Sequence, residues 1–501
     1  MTNASEDFKF TLKVMIDEKK KKVLFAESDC QFVDILLSFL TLPMGRIVKV
    51  LNDHFGQKAP AIGSLTNLYH SLACADNADF VSNDAKNLLL NPRSPFEVEC
   101  GMLKLSLTDF QPTKYFHCGP CSFGTHSVSI YYDQADCLIH TVYGRTTTTT
   151  DEPKKVAKAA FEGVFAADRA SFIISDDLRI FPSAMGIFQI ASVLGIANMD
   201  KAESIDVNIG LKEILTLLKL CFISATPLAD LVLNKTSLAL APEPKTLVNH
   251  TEFQEKLGSK KMVLKMVVQK SKCKLLYALA EDDFVEFLFS LLIIPLGGVG
   301  HLLAGKTCIK GIDILQRSVA DLADKYFKSP SMKNRLMKPS LVHGSVFENY
   351  ILPLDQQCMT RDELRKFKFS SLKFPKGQGR YLARPIAYMV MDDLTMNPLC
   401  IHSTISFLRE KNIPMSDVEE VEVQVGLKEA LCILKAALTS TSVLTDALLN
   451  SVLIKKREIK TGFKELIGTG FVYTEASLTS TSHLSDSLLT QNSNKRVKQE
   501  V

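Results

Sequence analysis

The sequence predicts an α+β protein made of two tandem homologous domains, the first carrying a zinc-ribbon-like insert, with a partial third repeat at the C-terminus. Three observations predict it. The chain repeats itself at long range, each copy opens with β-like segments followed by apolar helical stripes, and a cysteine–histidine cluster occurs in one copy only. The repeat is plainest in "FVDILLSFLTLPMG" at residues 32–45, which returns at 284–297 as "FVEFLFSLLIIPLG".

Leu12–Leu51 aligns without a gap on Leu264–Leu303 at an offset of 252 residues, and "KNLLLNP" from Lys86 aligns on "KNRLMKP" from Lys333 at an offset of 247. "SDDLRIFP" from Ser175 then aligns on "MDDLTMNP" from Met391, and "VNIGLKEILTLLK" from Val207 on "VQVGLKEALCILK" from Val423, both at an offset of 216. The second copy is therefore 31 residues shorter between Pro92 and Ser175. "LTSTSVLTDALL" from Leu438 recurs as "LTSTSHLSDSLL" from Leu478, a third copy of one helical element only. These matches place a first repeat domain at 1–245 with an insert at 115–145, a second at 255–455, and the partial repeat with a disordered tail at 456–501.

Within a copy, Phe8–Ile16 and Lys22–Ala26 flank a charged turn and read as a hairpin. Ser28-x-x-Gln31 has the spacing of a capping box. Phe32, Ile35, Leu36, Phe39 and Leu40 follow on one helical face, and Pro43 and Gly45 end or kink that helix. Later, "FIIS" reads as a strand running into Asp176-Asp177. "VNI" leads to a glycine that opens a helix with Leu211, Ile214, Leu215, Leu218 and Phe222 on its stripe. Thr226-Pro227 then reads as an N-cap with proline at N1, and Asp230 falls in the first turn, where the helix dipole favours an acid.

Composition narrows the function classes. A net charge of +4 on 501 residues gives no concentrated basic field, so the sequence carries no strong nucleic-acid signal. The uncharged run Phe287–Gly300 is too short for a membrane span and contains Pro295, so no span is expected either. The first ten residues lack a secretory pattern, which predicts a cytoplasmic or nuclear protein whose twelve cysteines are thiols or metal ligands.

The spacing Cys118-x2-Cys121-x15-Cys137-x2-His140 predicts a zinc site, because two thiolate or imidazole knuckles joined by a loop can close a tetrahedron. Val128, Ile130 and Tyr132 alternate between the knuckles as a ribbon strand would, and His117 and His126 are alternative ligands. The second copy lacks all four ligands, and a short insert has little core of its own, so the metal is expected to serve structure. Asp176-Asp177 and Asp392-Asp393 are duplicated acid pairs after a strand, suited to general acid–base work or to capping a turn. "GGVG" at 297–300 follows a helix and not a strand, which argues against a phosphate loop, and Lys19–Lys22 reads as a solvated hairpin tip.

"KVLFAE", "LLSFLTLPMG", "LLLNPR", "FIISDDL", "IGLKE" and "TPLAD" together resemble the plant family catalogued as domain of unknown function 674. The resemblance covers roughly residues 8 to 490 and implies no assigned activity and no catalytic residue. It also implies paired cysteines in the insert, a pattern of which this chain keeps only part. The expectation from the sequence is a non-catalytic interaction or scaffold protein with a protein partner. The alternative is an enzyme with a pocket between the two repeat domains, using Asp176, Asp177, Asp392 and Asp393.

Overall fold

The structure is a computed structural model that describes residues 8–17, 22–81, 83–107, 114–117, 128–129, 145–148, 162–199, 202–233, 260–342, 345, 350–356, 381–383 and 387–454. Met1–Leu448 form one compact unit and Leu449–Val501 a second, of which only the first six residues are described. The partial third repeat lies outside the described residues.

The chain begins with an antiparallel hairpin, β1 (Phe10–Asp17) and β2 (Lys22–Asp29), as its alternating pattern predicts. Helices α1 (Cys30–Phe39), α2 (Met44–Phe55), α3 (Leu65–Cys74), α4 (Asn83–Leu90) and α5 (Glu97–Gly101) follow. Short strands β3 (Lys114–His117), β4 (Val128–Ser129) and β5 (Arg145–Thr148) form a separate sheet of their own. Strands β6 (Ser171–Ser175) and β7 (Ile180–Pro182), helix α6 (Ile187–Leu194), strand β8 (Ala202–Ile209) and helices α7 (Leu211–Ile223) and α8 (Pro227–Val232) complete the first half.

The second half runs β9 (Met262–Gln269), β10 (Lys274–Ala280), α9 (Asp282–Ile293), α10 (Leu296–Leu302), α11 (Lys310–Asp321) and α12 (Pro330–Met337). It ends with β11 (Tyr388–Val390), β12 (Met396–Pro398), α13 (Ile401–Glu410), β13 (Val418–Val425) and α14 (Leu427–Thr439). Two five-stranded antiparallel sheets result, ordered β7-β6-β2-β1-β8 and β12-β11-β10-β9-β13, the same order element for element. The fold is mixed α and β, as the sequence predicts.

Three local expectations are corrected. The N-cap of α1 is Asp29 and not Ser28, because β2 continues to residue 29 and the Asp29 carboxylate accepts from the amides of Gln31 and Phe32 at 3.1 and 3.0 Å. The stripe on α7 is rotated, so Leu217, Leu220 and Cys221 are buried while Leu211 and Phe222 are only half-buried. Finally, α1 shows no solvent face at all: every residue from Cys30 to Phe39 is buried, as is every residue of α9 from Phe284 to Ile293.

The all-round burial has a specific cause. Pro43 and Pro295 form an antiparallel bridge between the halves, in which the Met44 amide donates to the Ile294 carbonyl at 3.0 Å and the Leu296 amide to the Leu42 carbonyl at 2.9 Å. Proline ends each helix and supplies extended backbone at the N-cap of the next, so the freed polar groups of each break satisfy those of the other. A glycine two residues on permits the approach. A Cβ on Gly45 would stand 3.2 Å from the Leu292 carbonyl oxygen and 3.3 Å from that of Leu89. A Cβ on Gly297 would stand 3.1 Å from the Leu40 carbonyl oxygen and 2.8 Å from that of Leu336. Leu40 and Leu292 are equivalent positions in the alignment, and so are Leu89 and Leu336.

Gly297→Ala is therefore expected to force backbone apart and lower unfolding free energy by about 1–3 kcal/mol, read from the denaturant midpoint. Gly298→Ala, whose Cβ would meet only side-chain atoms of Ile294, Leu354 and Pro339, serves as the control and should cost much less. Equal effects from the two substitutions would contradict the bridge as the tight point.

Candidate functional site

Each acid pair sits at the end of a strand that turns sharply: β6 into Leu178, with φ of 70°, and β11 into Leu394, with φ of 63°. In the first turn the Ser175 hydroxyl donates to Asp177 Oδ1, and Arg179 Nε lies 3.6 Å from Asp177 Oδ2. In the second, the Thr395 amide donates to Asp393 Oδ1 at 3.0 Å, and the Asn67 side-chain amide donates to both the carbonyl and Oδ2 of Asp393 at 3.2 Å. These are turn-closing roles.

The first acid of each pair does a different job. Asp176 Oδ1 accepts from the Ala229 amide at 2.7 Å, and its carbonyl accepts from the Leu228 amide at 3.2 Å. Asp392 accepts from the Thr445 amide at 2.8 Å and the Thr445 hydroxyl at 2.7 Å, while its carbonyl takes the Val443 amide at 2.7 Å. Both acids thus hold the equivalent segment, which is α8 in the first half and the stretch after α14 in the second. That segment is itself braced: the Ser224 hydroxyl donates to Asp230 at 2.5 Å, and the Ser440 hydroxyl to Asp446 at 2.6 Å. Ser224 also accepts from the Thr226 amide at 2.9 Å, so the hydroxyl that organises this turn belongs to Ser224, and Thr226 makes no side-chain cap.

One difference between the halves has a chemical consequence. Ala229 occupies the position that Thr445 holds in the second half. Among the described residues Asp176 Oδ2 consequently has no hydrogen-bond partner, although the residue is only 8% exposed. Burial pushes the Asp176 carboxyl from the ordinary 3.8 up to about 6, against the pull of the Ala229 amide and of Lys22.

A shallow cleft lined by Pro43, Arg46, Glu97, Cys100 and other first-half residues has barely room for a water molecule and includes none of the four acids. Its thiol is inert: burial pushes Cys100 up to about 12, and Thr41 Oγ1 lies 3.3 Å from its sulfur. The "GGVG" stretch lies inside α10, with Gly297, Gly298 and Gly300 buried, and so offers no phosphate loop. Cys118, Cys121, Cys137 and His140 lie outside the described residues. Among the described residues no three His, Cys, Asp or Glu side chains are grouped to hold a metal, and no helix is long and apolar enough to cross a membrane.

A family model described as protein of unknown function (DUF674) matches residues 6–427. The chain belongs to that family. No curated protein and no solved structure matches it. The match spans both sheets, both acid pairs and the Pro43–Pro295 bridge, so these features lie within the DUF674 region.

Sequence reasoning missed two buried carboxylates in the DUF674 region. Asp34 in α1 accepts from the amides of Val164, Phe165 and Ala166 at 2.6, 2.9 and 2.7 Å. Its equivalent in α9, Glu286, accepts from Tyr381 and Leu382 at 2.7 and 3.1 Å. The signal was available: an acid at the same place in two otherwise apolar helices requires buried donors.

The sign of the Asp176 effect follows from linkage. Its folded pKa is raised, so between about pH 4 and 6 the folded chain keeps a proton that the unfolded chain gives up, and stability falls as pH rises through that window, by about 1–3 kcal/mol in all. Asp176→Asn keeps an acceptor for Ala229 and is expected to flatten that slope. Ala229→Thr, which supplies the hydroxyl present in the second half, is expected to reduce it by stabilising the carboxylate. Denaturant melts at pH 4, 5, 6 and 7 check both, and an unaltered slope in Asp176→Asn would contradict the assignment.

Proposed function

We propose that this member of the DUF674 family is a non-catalytic interaction or scaffold protein, built by tandem duplication of one α+β unit and working in the cytoplasm or nucleus of a plant cell. The observation that carries the reading is the use of the acid pairs. Asp177, Asp392, Asp393 and one oxygen of Asp176 are committed to backbone amides, hydroxyls and an asparagine that close turns and hold the final helical segment of each half. A reducing compartment is supported by eight described cysteines that are all free thiols.

Each half also turns an apolar helix outward. On α6, Ile187, Phe188 and Val193 are exposed, Phe188 to 89%, and on α13 Ile401 is exposed to 76% with Ile405 beside it in the next turn. Two such helices on one chain suit a partner held at two points, where linkage raises avidity. Phe188→Ser with Ile401→Ser should leave the melting temperature within a few degrees and abolish retention of a stoichiometric protein partner purified from the native tissue. A metabolite that co-purifies, with a turnover lost in Asp177→Asn, would instead favour an enzyme acting between the halves.

The insert at 115–145 is proposed to carry one structural zinc on Cys118, Cys121, Cys137 and His140. Support comes from their spacing and from the sheet that brackets them, in which β3 pairs with both β4 and β5. Metal analysis of protein made in zinc-replete medium should give about one zinc per chain. Cys121→Ser should lose the zinc and loosen 115–145 while leaving hydrogen exchange in 264–303 unchanged. Zinc well below stoichiometry, with identical exchange in Cys121→Ser, would remove the site.

A further inference from the structure

The two halves do more than touch; each completes the other, and several contacts between them recur at equivalent positions. The Val81 amide donates to the Tyr381 carbonyl at 2.9 Å, and at the equivalent place the Lys328 amide donates to Phe165 at 2.8 Å. The Ala383 amide donates to Asp79 at 2.8 Å, and the Ala167 amide to Tyr326 at 2.9 Å. Ser71, on α3, accepts from the Met396 amide of β12 at 3.0 Å, and Ser318, on α11, accepts from the Ile180 amide of β7 at 3.1 Å. The start of α3 lies against the end of α14, where the Ser64 amide donates to Ala437 at 2.9 Å. The start of α11 lies against the end of α7, where a Cβ on Gly311 would stand 2.7 Å from the Cys221 carbonyl oxygen. Thus α3 of the first half caps the edge of the second sheet, and α11 of the second half caps the edge of the first.

Asp34 and Glu286 sit behind this exchange. Asp34 fixes residues 164–166, and Ala166 then bridges Phe327 of the other half; Glu286 fixes residues 381–382, and Leu382 bridges Phe80. Lys328 with Asp168 and Arg335 with Glu99, each at 2.6 Å, join the halves once only, since Val81 and Leu88 stand where Lys328 and Arg335 have their equivalents. A first half facing another first half would forgo both pairs. A first half facing a second half keeps them, whichever molecule supplies it.

We propose that the surface between the halves is an exchange interface whose partner is the complementary half of a second copy of this chain. It goes beyond the scaffold reading and does not depend on it. Within one molecule the connection between α8 and β9 gives the chain's own second half the advantage of high effective concentration. Removing that advantage exposes the interface to exchange.

The test uses full-length protein carrying a protease recognition sequence after residue 245, folded first and cut afterwards, in one tagged and one untagged form. The cut halves are expected to elute together at the size of the uncut chain and to melt in one transition. When the two cut forms, the tagged one grown in heavy-isotope medium, are unfolded and refolded as a mixture, the tag is expected to retrieve heavy and light complementary halves in comparable amounts. Halves that elute separately as folded monomers, or a tag that retrieves no complementary half after joint refolding, would overturn the proposal. In the uncut chain, Asp34→Asn gives a second reading: one calorimetric transition moved to lower temperature supports the interlock, and a transition split in two overturns it.

Discussion

The structure depends on one close approach: the antiparallel bridge between Pro43 and Pro295, with Gly45 and Gly297 beside it. Two helices interrupted at the same place could each have buried one face and left their frayed ends to water. Here the break in each supplies donors and acceptors to the break in the other, so neither needs solvent. That permits α1 and α9 to be apolar and buried on every side, with Phe32, Phe39, Phe284, Phe287 and Phe289 in the interior. Each such side chain stabilises the fold by about 1.5–3 kcal/mol relative to exposure. The packing energy of both halves is therefore pooled at a single place.

Pooling has consequences for the rest of the chain. Once the breaks after α1 and α9 meet at the bridge, the segments that lead into β6 and β11 also close within the interior, and an acid in each helix provides the anchor: Asp34 for residues 164–166 and Glu286 for residues 381–382. The anchored segments then pair with Phe327 and Phe80 of the opposite half. A short run of extended backbone thus links a buried carboxylate in one half to a turn in the other, and α3 and α11 are carried across. The acid pairs at 176–177 and 392–393 lie at the outer ends of the same design, where they hold the final helical segments in place.

Much of this was legible in the sequence, and the remainder was hidden for identifiable reasons. The hairpin, the break at Pro43 and Pro295 and the glycine-opened helices α7 and α14 follow from local rules, because alternation, proline and the reach of Glu213 and Glu429 back to the preceding glycine amide act within a few residues. The missed cap at Asp29 is a neighbour error, since Ser28 and Asp29 are both good caps and only the length of β2 decides between them. The exchange of α3 and α11 could not be read, because a repeat says that two segments are alike and not which copy each packs upon. Ala229 in place of Thr445 was visible, but its meaning required knowing that Asp176 faces it. The role of Cys118, Cys121, Cys137 and His140 remains a matter of spacing, since those residues lie outside the described ones.

The most direct measurement of the central claim is native-state hydrogen exchange at the amides of Met44, Leu296 and Gly297, which cross the bridge from both sides. A bridge on which both halves depend requires all three to exchange only through global unfolding, with the same opening free energy as the most protected amides of α1 and α9. Exchange of any of them at a markedly lower free energy, while the two helices stay protected, would contradict it. The halves would then be held together by something other than this pair of broken helices.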